Sequence, residues 1–355
     1  MALRMIQVGT GGWGGAWCRR FLPDNVADGL IEVVAAVDLD PAQHVNAREG
    51  LALPPERLYT DLQRALDENQ ADFCTVVVPP ACHESVVDAA LAHGLHILSE
   101  KPIADSLPAA VRIAEKVKRA GVKMGVTMSH RFDQDKTSLR EELRSGRWGD
   151  LDYLVCRFTC NCRAFGSWGQ FRHEIPDPLM VEGAVHHLDF LVDMTGAPCE
   201  TLYAQTWNPR WGEFAGDSQA LVTMRSTNGR RAFYEGAKTN AHGLNGWGDE
   251  YVRAECEGAT LVLDHRELRV FPHGADNPAG EPLPLLEQPK WANSWLIEKF
   301  VRWLEGGPEM ETNVEANLQS VALVFAAIES SRTGQPVQVQ EYLEATRREV
   351  RAEGF

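Results

Sequence analysis

A short apolar run, Met5–Gly9, leads into Gly9-Thr10-Gly11-Gly12-Trp13-Gly14, and the residues that follow, Gly15–Phe21, read as a helix. This strand–glycine loop–helix sequence constrains the fold more than any other feature of the chain. Glycines at positions 9, 11 and 14 permit a tight turn and let backbone N–H groups approach a pyrophosphate at the positive end of the helix. The spacing alone is a loose pattern, because a glycine turn can simply join a strand to a helix. The context sharpens it: a second apolar strand, Glu32–Asp38, ends in a carboxylate, where a dinucleotide's ribose hydroxyls would be held. Asp38 repels a 2′-phosphate, and Leu39 and Asp40 supply no cation to offset that, so NAD is expected over NADP.

The alternation continues through a helix at Asp61–Glu68, a strand at Phe73–Val78 ending in Pro79-Pro80, a helix at His83–Ala92, a strand at His96–Ser99, a helix at Leu107–Ala120 and a strand at Lys123–Met128. Nearly continuous apolar strands separated by helices predict a doubly wound parallel sheet, an α/β Rossmann domain over residues 1–128. From 129 to 355 the pattern changes. Candidate strands at 152–159, 201–207, 218–226, 231–238, 251–257, 259–264 and 267–272 are joined by turns such as Asn228-Gly229 and Glu257-Gly258. Short turns between successive strands predict an α+β domain with a large, open, mostly antiparallel sheet. Helices are expected at 178–195, 291–305 and 314–333, and the Pro/Gly-rich stretch 272–289 is expected to be a surface loop.

Two places carry candidate chemistry. Lys101, in Glu100-Lys101-Pro102, follows the strand His96–Ser99, and ligands of doubly wound sheets collect beyond the carboxyl ends of the strands. A nearby nicotinamide cation would lower its pKa and suit it to proton transfer; the alternative is a solvated lysine at a strand end. The helix at 178–195, with Asp177 as its expected N-cap, is apolar nearly all round, which marks it as buried. Glu182, His186 and Asp189 recur on it at i, i+4 and i+7 and so are expected on one face, where a histidine and a carboxylate resemble a proton-transfer pair; the alternative is a buried histidine with a structural role. His187 is rotated by about 100° and is the lesser candidate.

These pieces together resemble the glucose–fructose oxidoreductase / inositol dehydrogenase / MocA-like family. The resemblance runs over nearly the whole chain: the glycine loop, Val37-Asp38, Val78-Pro79-Pro80 with His83, Glu100-Lys101-Pro102, Arg131-Phe132, the Gly183…His186…Asp189 helix and the segment Asn317–Val339. It implies a Rossmann domain followed by an α+β domain whose open sheet is often used for oligomer contacts. It implies that Lys101 orients substrate and that His186 is the main acid/base. Many members carry Asp where this chain has Glu182, which leaves that residue between orienting the imidazole and binding a sugar hydroxyl. Gly9, Gly11, Gly12, Trp13, Gly14, Asp38, Pro79, Glu100 and Lys101 are the expected cofactor residues. His83 and Arg131 either touch the cofactor or hold loops. Asp189, Trp168, His173, Trp207, Trp247 and Asn245 are candidates for the substrate side.

The expected activity is reversible hydride transfer between nicotinamide and a secondary alcohol of a sugar, glycoside or cyclitol. The alternatives are a ketoreductase of sugar biosynthesis, an enzyme that keeps its cofactor bound and cycles it between two sugars, and a regulatory protein that senses NAD without chemistry. A formal charge of −15 counts against a nucleic-acid or anionic-membrane partner and says little about a small substrate, with which a neutral polyol is compatible. No apolar run approaches the ~18 residues that span a bilayer, and Met1–Met5 leaves no room for a signal peptide, so a cytoplasmic location is expected, while the resemblance implies a homo-oligomer. Of the eight cysteines, Cys156, Cys160 and Cys162 cluster in sequence without the paired spacing of a zinc site, and no metal is expected from them.

Overall fold

The computed structural model describes residues 1–355. The chain forms two compact units: Met1–Ser129 with Lys290–Leu318 and Thr346–Phe355, and His130–Pro289 with Gln319–Ala345.

The first unit is built on a six-stranded parallel sheet of β1 (Leu3–Val8), β2 (Ile31–Val37), β3 (Leu58–Tyr59), β4 (Phe73–Val76), β5 (His96–Ser99) and β6 (Met124–Val126), in the order β3-β2-β1-β4-β5-β6. All its pairings are parallel, and the order reverses at β1/β4, the switch point of a doubly wound sheet. Phe73, Cys74, Val76, Ile97, Leu98 and Val126 are buried, as strands covered on both faces require. Part of that cover comes from late in the chain. Phe300, on the helix Ala292–Leu304, meets Phe73 edge-on at 5.5 Å, and β6 carries Gly125 because a Cβ there would lie 2.5 Å from Met310 Sδ. The division drawn from sequence at residue 128 places 290–318 and 346–355 with the second domain; in the structure they group with the first unit. Chain position does not show which sheet a helix covers.

The second unit holds a nine-stranded sheet of β7 (Leu151–Thr159), β8 (Cys199–Trp207), β9 (Gln219–Ser226), β10 (Arg231–Ala237), β11 (Tyr251–Cys256), β12 (Ala259–Asp264), β13 (Glu267–Pro272), β14 (Glu281–Leu283) and β15 (Val337–Gln338). The order is β14-β13-β12-β11-β7-β10-β9-β8-β15, and only the β7–β10 pair is parallel. Inward positions alternate with outward ones: Ala232 and Tyr234 on β10, Val252 and Ala254 on β11, and Leu154, Cys156 and Phe158 on β7 are buried. The helix Val185–Thr195 packs on this buried face against β7 and β10.

Three local expectations need correction. The stretch 272–289 is not all loop, because β14 pairs with β13 inside it. The helix at 178–195 opens with a π-helical turn, Leu179–Ala184, and Asp177 does not cap it. The Asp177 carboxylate accepts from Arg332 instead, at 3.2 Å. The helix Gln134–Arg144 was missed because its buried side is mostly polar, with Asp135, Lys136, Ser138 and Arg140 beside the single Leu139, and it presents no apolar stripe to read.

Candidate active site

In the first unit the glycine loop is forced by close backbone approach. Gly9 sits at φ +89°, where a Cβ would lie 2.0 Å from Val77 O, and a Cβ on Gly14 would lie 2.3 Å from Gly9 O. A Cβ on Gly11 would meet Gln43 Cγ at 3.0 Å, whereas one on Gly12 (φ +50°) would meet nothing within 4 Å. Gly9 and Gly14 therefore serve the turn, and Gly12 leaves open space at the head of the helical run, a cradle that fits a dinucleotide pyrophosphate. Asp38 closes β2 as expected, and its Oδ2 accepts from the N–H groups of Thr10 (2.8 Å) and Gly11 (2.9 Å). The carboxylate thus shapes the loop.

Glu100 has a positioning task that sequence alone does not show. Its Oε1 accepts from the indole N–H of Trp13 (2.8 Å) and of Trp17 (2.9 Å), with the Asn293 amide at 3.4 Å. Its Oε2 accepts from the Lys101 N–H at 3.2 Å. One buried carboxylate thereby ties the helix after the glycine loop to the segment that carries Lys101. Pro79 precedes a single 3-10 turn, Pro80–Cys82. His83, fully buried, contacts Val78 O (2.9 Å) and Ile103 O (3.0 Å) through its two ring nitrogens. It holds loops, the second of the two roles open to it.

In the second unit His186 is nearly buried, and its ring stacks on that of His130 at 4.2 Å and 15°. Trp247 stands edge-on to both, at 6.1 Å and 5.3 Å. Trp247 also lies 23° from parallel to His187 and contacts Phe158 and Trp168. The Lys238 ammonium lies within this aromatic wall, 3.7 Å from the Trp168 centroid, 4.3 Å from Trp247 and 4.4 Å from Phe158, where it gains cation–π attraction. His187 is fully buried. Its Nδ1 lies 3.1 Å from Tyr234 Oη and its Nε2 lies 3.5 Å from Glu250 Oε1, and burial pulls its pKa below the ordinary histidine value despite that carboxylate.

Behind this wall sits a buried ionic cluster. Lys136 Nζ donates to Glu250 Oε2 at 2.6 Å and lies 3.2 Å from Asp135 and 3.6 Å from Asp133. Burial opposes charge on Glu250, but Lys136, His187 and His130 outweigh it and hold the carboxyl well below its usual range. Burial, relieved only in part by Lys136, pushes Asp133 up to about 7.

The helical face expected to carry three site residues is divided among different partners. Glu182 lies in the π-turn, whose wider spacing breaks the i, i+4 register with His186, and its Oε2 accepts from Arg172 Nε at 2.9 Å. Asp189 is gripped bidentately by Arg131 (Nε to Oδ2 at 2.9 Å) and also accepts from Ser320 Oγ. It braces the helix rather than facing a ligand, and Arg131 shares that task. His173 is buried against Phe214 (3.9 Å, 12°), with Nδ1 on Glu213 O and Nε2 accepting from the Trp168 N–H, so it supports the loop beneath Trp168. Asn245 is buried and donates to Asp249 O and Asp264 Oδ1. Trp207 is 41% exposed at the end of β8 and makes no ring contact with the Trp247 group. Of the aromatic candidates expected on the substrate side, the fold brings Trp168 and Trp247 together, with ring centroids 6.4 Å apart.

Sequence reasoning missed His130, Lys136, Lys238 and Glu250. For two of these a signal was present. Lys238 and Glu250 extend the inward parity of Ala232/Tyr234 and of Val252/Ala254, and a charged residue at a core parity marks an unusual environment.

Residues 3–128 match the oxidoreductase family, NAD-binding Rossmann fold, and residues 140–339 match the C-terminal alpha/beta domain of the same family, GFO/IDH/MocA. The chain is 51% identical over 354 residues to the uncharacterized protein y4oX of Sinorhizobium fredii, covering 98% of each. It is 25% identical over 323 residues to D-apiose dehydrogenase of Paraburkholderia graminis, covering 87% of this chain and 83% of that one. Among solved structures, an oxidoreductase from Agrobacterium radiobacter in complex with NAD+, L-tartaric acid and magnesium superposes with a TM-score of 0.81 at 20% identity, over 96% of this chain and 99% of that one. That likeness bears on the fold.

Proposed function

The chain belongs to the GFO/IDH/MocA oxidoreductase family, with its NAD-binding Rossmann domain and its C-terminal alpha/beta domain, and from that premise we propose that it is an NAD-dependent dehydrogenase of a sugar, glycoside or cyclitol. The observation that carries the reading is His186: a nearly buried imidazole, stacked on His130 and walled by Trp247, on a helix otherwise packed into the core. When bound, NAD supplies the hydride acceptor at nicotinamide C4.

Gly9–Gly14 turn the backbone N–H groups towards the pyrophosphate, and Asp38 selects the cofactor without a 2′-phosphate. His186 takes the proton from a secondary hydroxyl as the carbinol C–H hydride leaves and the C=O bond forms. Lys101, whose backbone N–H is tied to the Glu100 carboxylate, is the proposed second proton-transfer group. The aromatic faces of Trp168 and Trp247 suit the apolar face of a sugar ring, and Glu182 with Arg172 supplies polar groups for hydroxyls. The sugar class is supported by D-apiose dehydrogenase, a relative that spans both domains.

The outward face of the second sheet carries exposed Leu221 and Phe233, which favours self-association through that sheet. Light scattering of the purified chain measures this, and a dimer or tetramer is the expected result.

The test of function is a panel of inositols, free aldoses and glycosides incubated with NAD+ or NADP+ and followed by NADH absorbance. Turnover with NAD+ on one of these classes is expected, together with retained NAD binding and lost turnover in Lys101→Ala and His186→Ala. A panel without turnover, or either variant working at near wild-type rate, overturns the proposal.

A further inference from the structure

We propose that His130, His187 and Glu250 form a binding site for one divalent transition-metal ion, with zinc as the best-matched occupant. The three side chains offer Nδ1, Nε2 and a carboxylate oxygen, and these donor atoms all lie within 4.8 Å of one another. Glu250 Oε1 is 3.4 Å from His130 Nδ1 and 3.5 Å from His187 Nε2. Four-coordinate zinc with bonds of ~2.0–2.2 Å sets neighbouring ligand atoms roughly 3.3–3.5 Å apart, so both edges have the length that coordination requires. Two imidazoles and one carboxylate also make up the donor set of open catalytic zinc sites and of other first-row metal centres.

Two further observations point to a cation. His187 is fully buried, and its Nε2 has no hydrogen-bond partner although it faces Glu250. Tyr234 Oη, 3.1 Å from Nδ1, can donate to that nitrogen or accept from it, and in the tautomer with the proton on Nδ1 the Nε2 lone pair is available to a cation beside Glu250. The second observation is the charge of the surroundings. Lys136 faces three carboxylates, those of Asp133, Asp135 and Glu250, with Arg266 adding positive potential at Asp133. Within this cluster the fully buried Lys136 lies against two fully buried carboxylates, Asp135 and Glu250, and a divalent ion would add positive charge beside Glu250.

The ligands are also held from behind, as metal ligands usually are. Tyr234 fixes the His187 ring, while Lys136 Nζ and the Gly248 N–H fix the two oxygens of Glu250. Because His130 stacks on His186, coordination of His130 would set the plane against which the proposed base rests. No cysteine takes part. This inference does not rest on the substrate reading, because metal binding is measured without substrate or cofactor.

The test uses the full chain, purified without chelator for metal analysis, then stripped and titrated with Co2+ by visible d–d absorption and with Zn2+ by calorimetry. About one equivalent is expected, with a cobalt spectrum of low coordination number and a raised melting temperature in Zn2+. His130→Ala alters the least buried ligand, and Glu250→Gln keeps the shape of the side chain. Both are expected to weaken binding by more than about 100-fold, beyond the 10- to 100-fold typical of groups behind the ligands, while wild-type circular dichroism is retained. A stripped wild type that takes up no Co2+ at millimolar concentration, which leaves the cluster balanced by protons alone, overturns the proposal. So does binding that is unchanged in both variants.

Discussion

Replacing Glu100 tests whether one carboxylate joins the glycine-loop helix to the Lys101 segment. In Glu100→Ala, the indole of Trp17 keeps its N–H in a fully buried position without an acceptor, and Trp13, 48% exposed, turns to water. An unsatisfied buried donor costs ~1–3 kcal/mol, and a hydrogen bond to a charged group contributes ~1.5–3 kcal/mol. The Trp13 bond is largely replaced by solvent, and the 3.4 Å contact to Asn293 adds little. Relief of the buried carboxylate offsets part of the loss, leaving a net cost of about 3 kcal/mol. Glu100→Gln retains one acceptor oxygen for both indoles but loses the charge and the acceptor of the Lys101 N–H, at about 1–2 kcal/mol. The assay is equilibrium urea denaturation of the full chain by circular dichroism, with hydrogen exchange over residues 13–21 as the local readout. The first unit's transition is expected to fall in the order wild type, Gln, Ala, with exchange at 13–21 accelerated in the Ala variant. A Glu100→Ala protein within about 0.5 kcal/mol of wild type, the scatter of ordinary surface changes, would refute the reasoning.

Gly14→Ala places a Cβ 2.3 Å from Gly9 O, and overpacking of about 1–3 kcal/mol should weaken NADH binding tenfold or more; fluorescence titration showing unchanged affinity would contradict this. Asp189→Ala removes the bidentate partner of Arg131 but leaves Asp193 at 3.2 Å, and should cost about 1.5–3 kcal/mol by urea denaturation, much of it recovered in Asp189→Leu combined with Arg131→Met; a pair as unstable as the single change would show that the ion pair is not the cause. His186→Asn should lower kcat by about 10²–10⁴-fold on the substrate found in the panel while NAD affinity stays within about twofold, as expected for loss of a general base. The hydrogen bond from Cys160, with help from Lys238, pulls the Cys162 thiol below the ordinary range against its own burial, so Cys162 should alkylate faster at neutral pH than a free thiol; Cys160→Ala, which removes the donor, should slow it, and an unchanged rate would contradict the pairing.

The parallel sheet was legible because its strands are buried on both faces and spell continuous apolar runs. The helices His83–Ala92 and Leu107–Ala120 and the strands at 259–264 and 267–272 have the expected bounds. Elements with polar buried faces were not legible: the helix Gln134–Arg144 buries an ionic network, so hydrophobic period says nothing about it. The candidate site divides along the same line. Glycine spacing shows a turn, and a histidine on an apolar helix shows a buried imidazole, but the partners of each side chain depend on strand register and on a π-turn. That turn moves Glu182 to Arg172, and Arg131 occupies Asp189, two outcomes that i, i+4, i+7 counting could not reach. His130 was hidden for a different reason: it sits in the short Ser129–Phe132 turn, with no periodicity to place it against the helix that carries His186.

The central claim is that His186 deprotonates a polyol hydroxyl while a hydride passes to nicotinamide. Its most direct test is isotope transfer: C-deuterated inositols and aldoses incubated with NAD+ and enzyme, with the reduced cofactor examined by mass spectrometry. One deuterium per reduced cofactor from one of these polyols is predicted with the wild type, with transfer about 10²–10⁴-fold slower in His186→Asn. Reduced cofactor that carries no deuterium, or equal transfer by the His186→Asn protein, would contradict it.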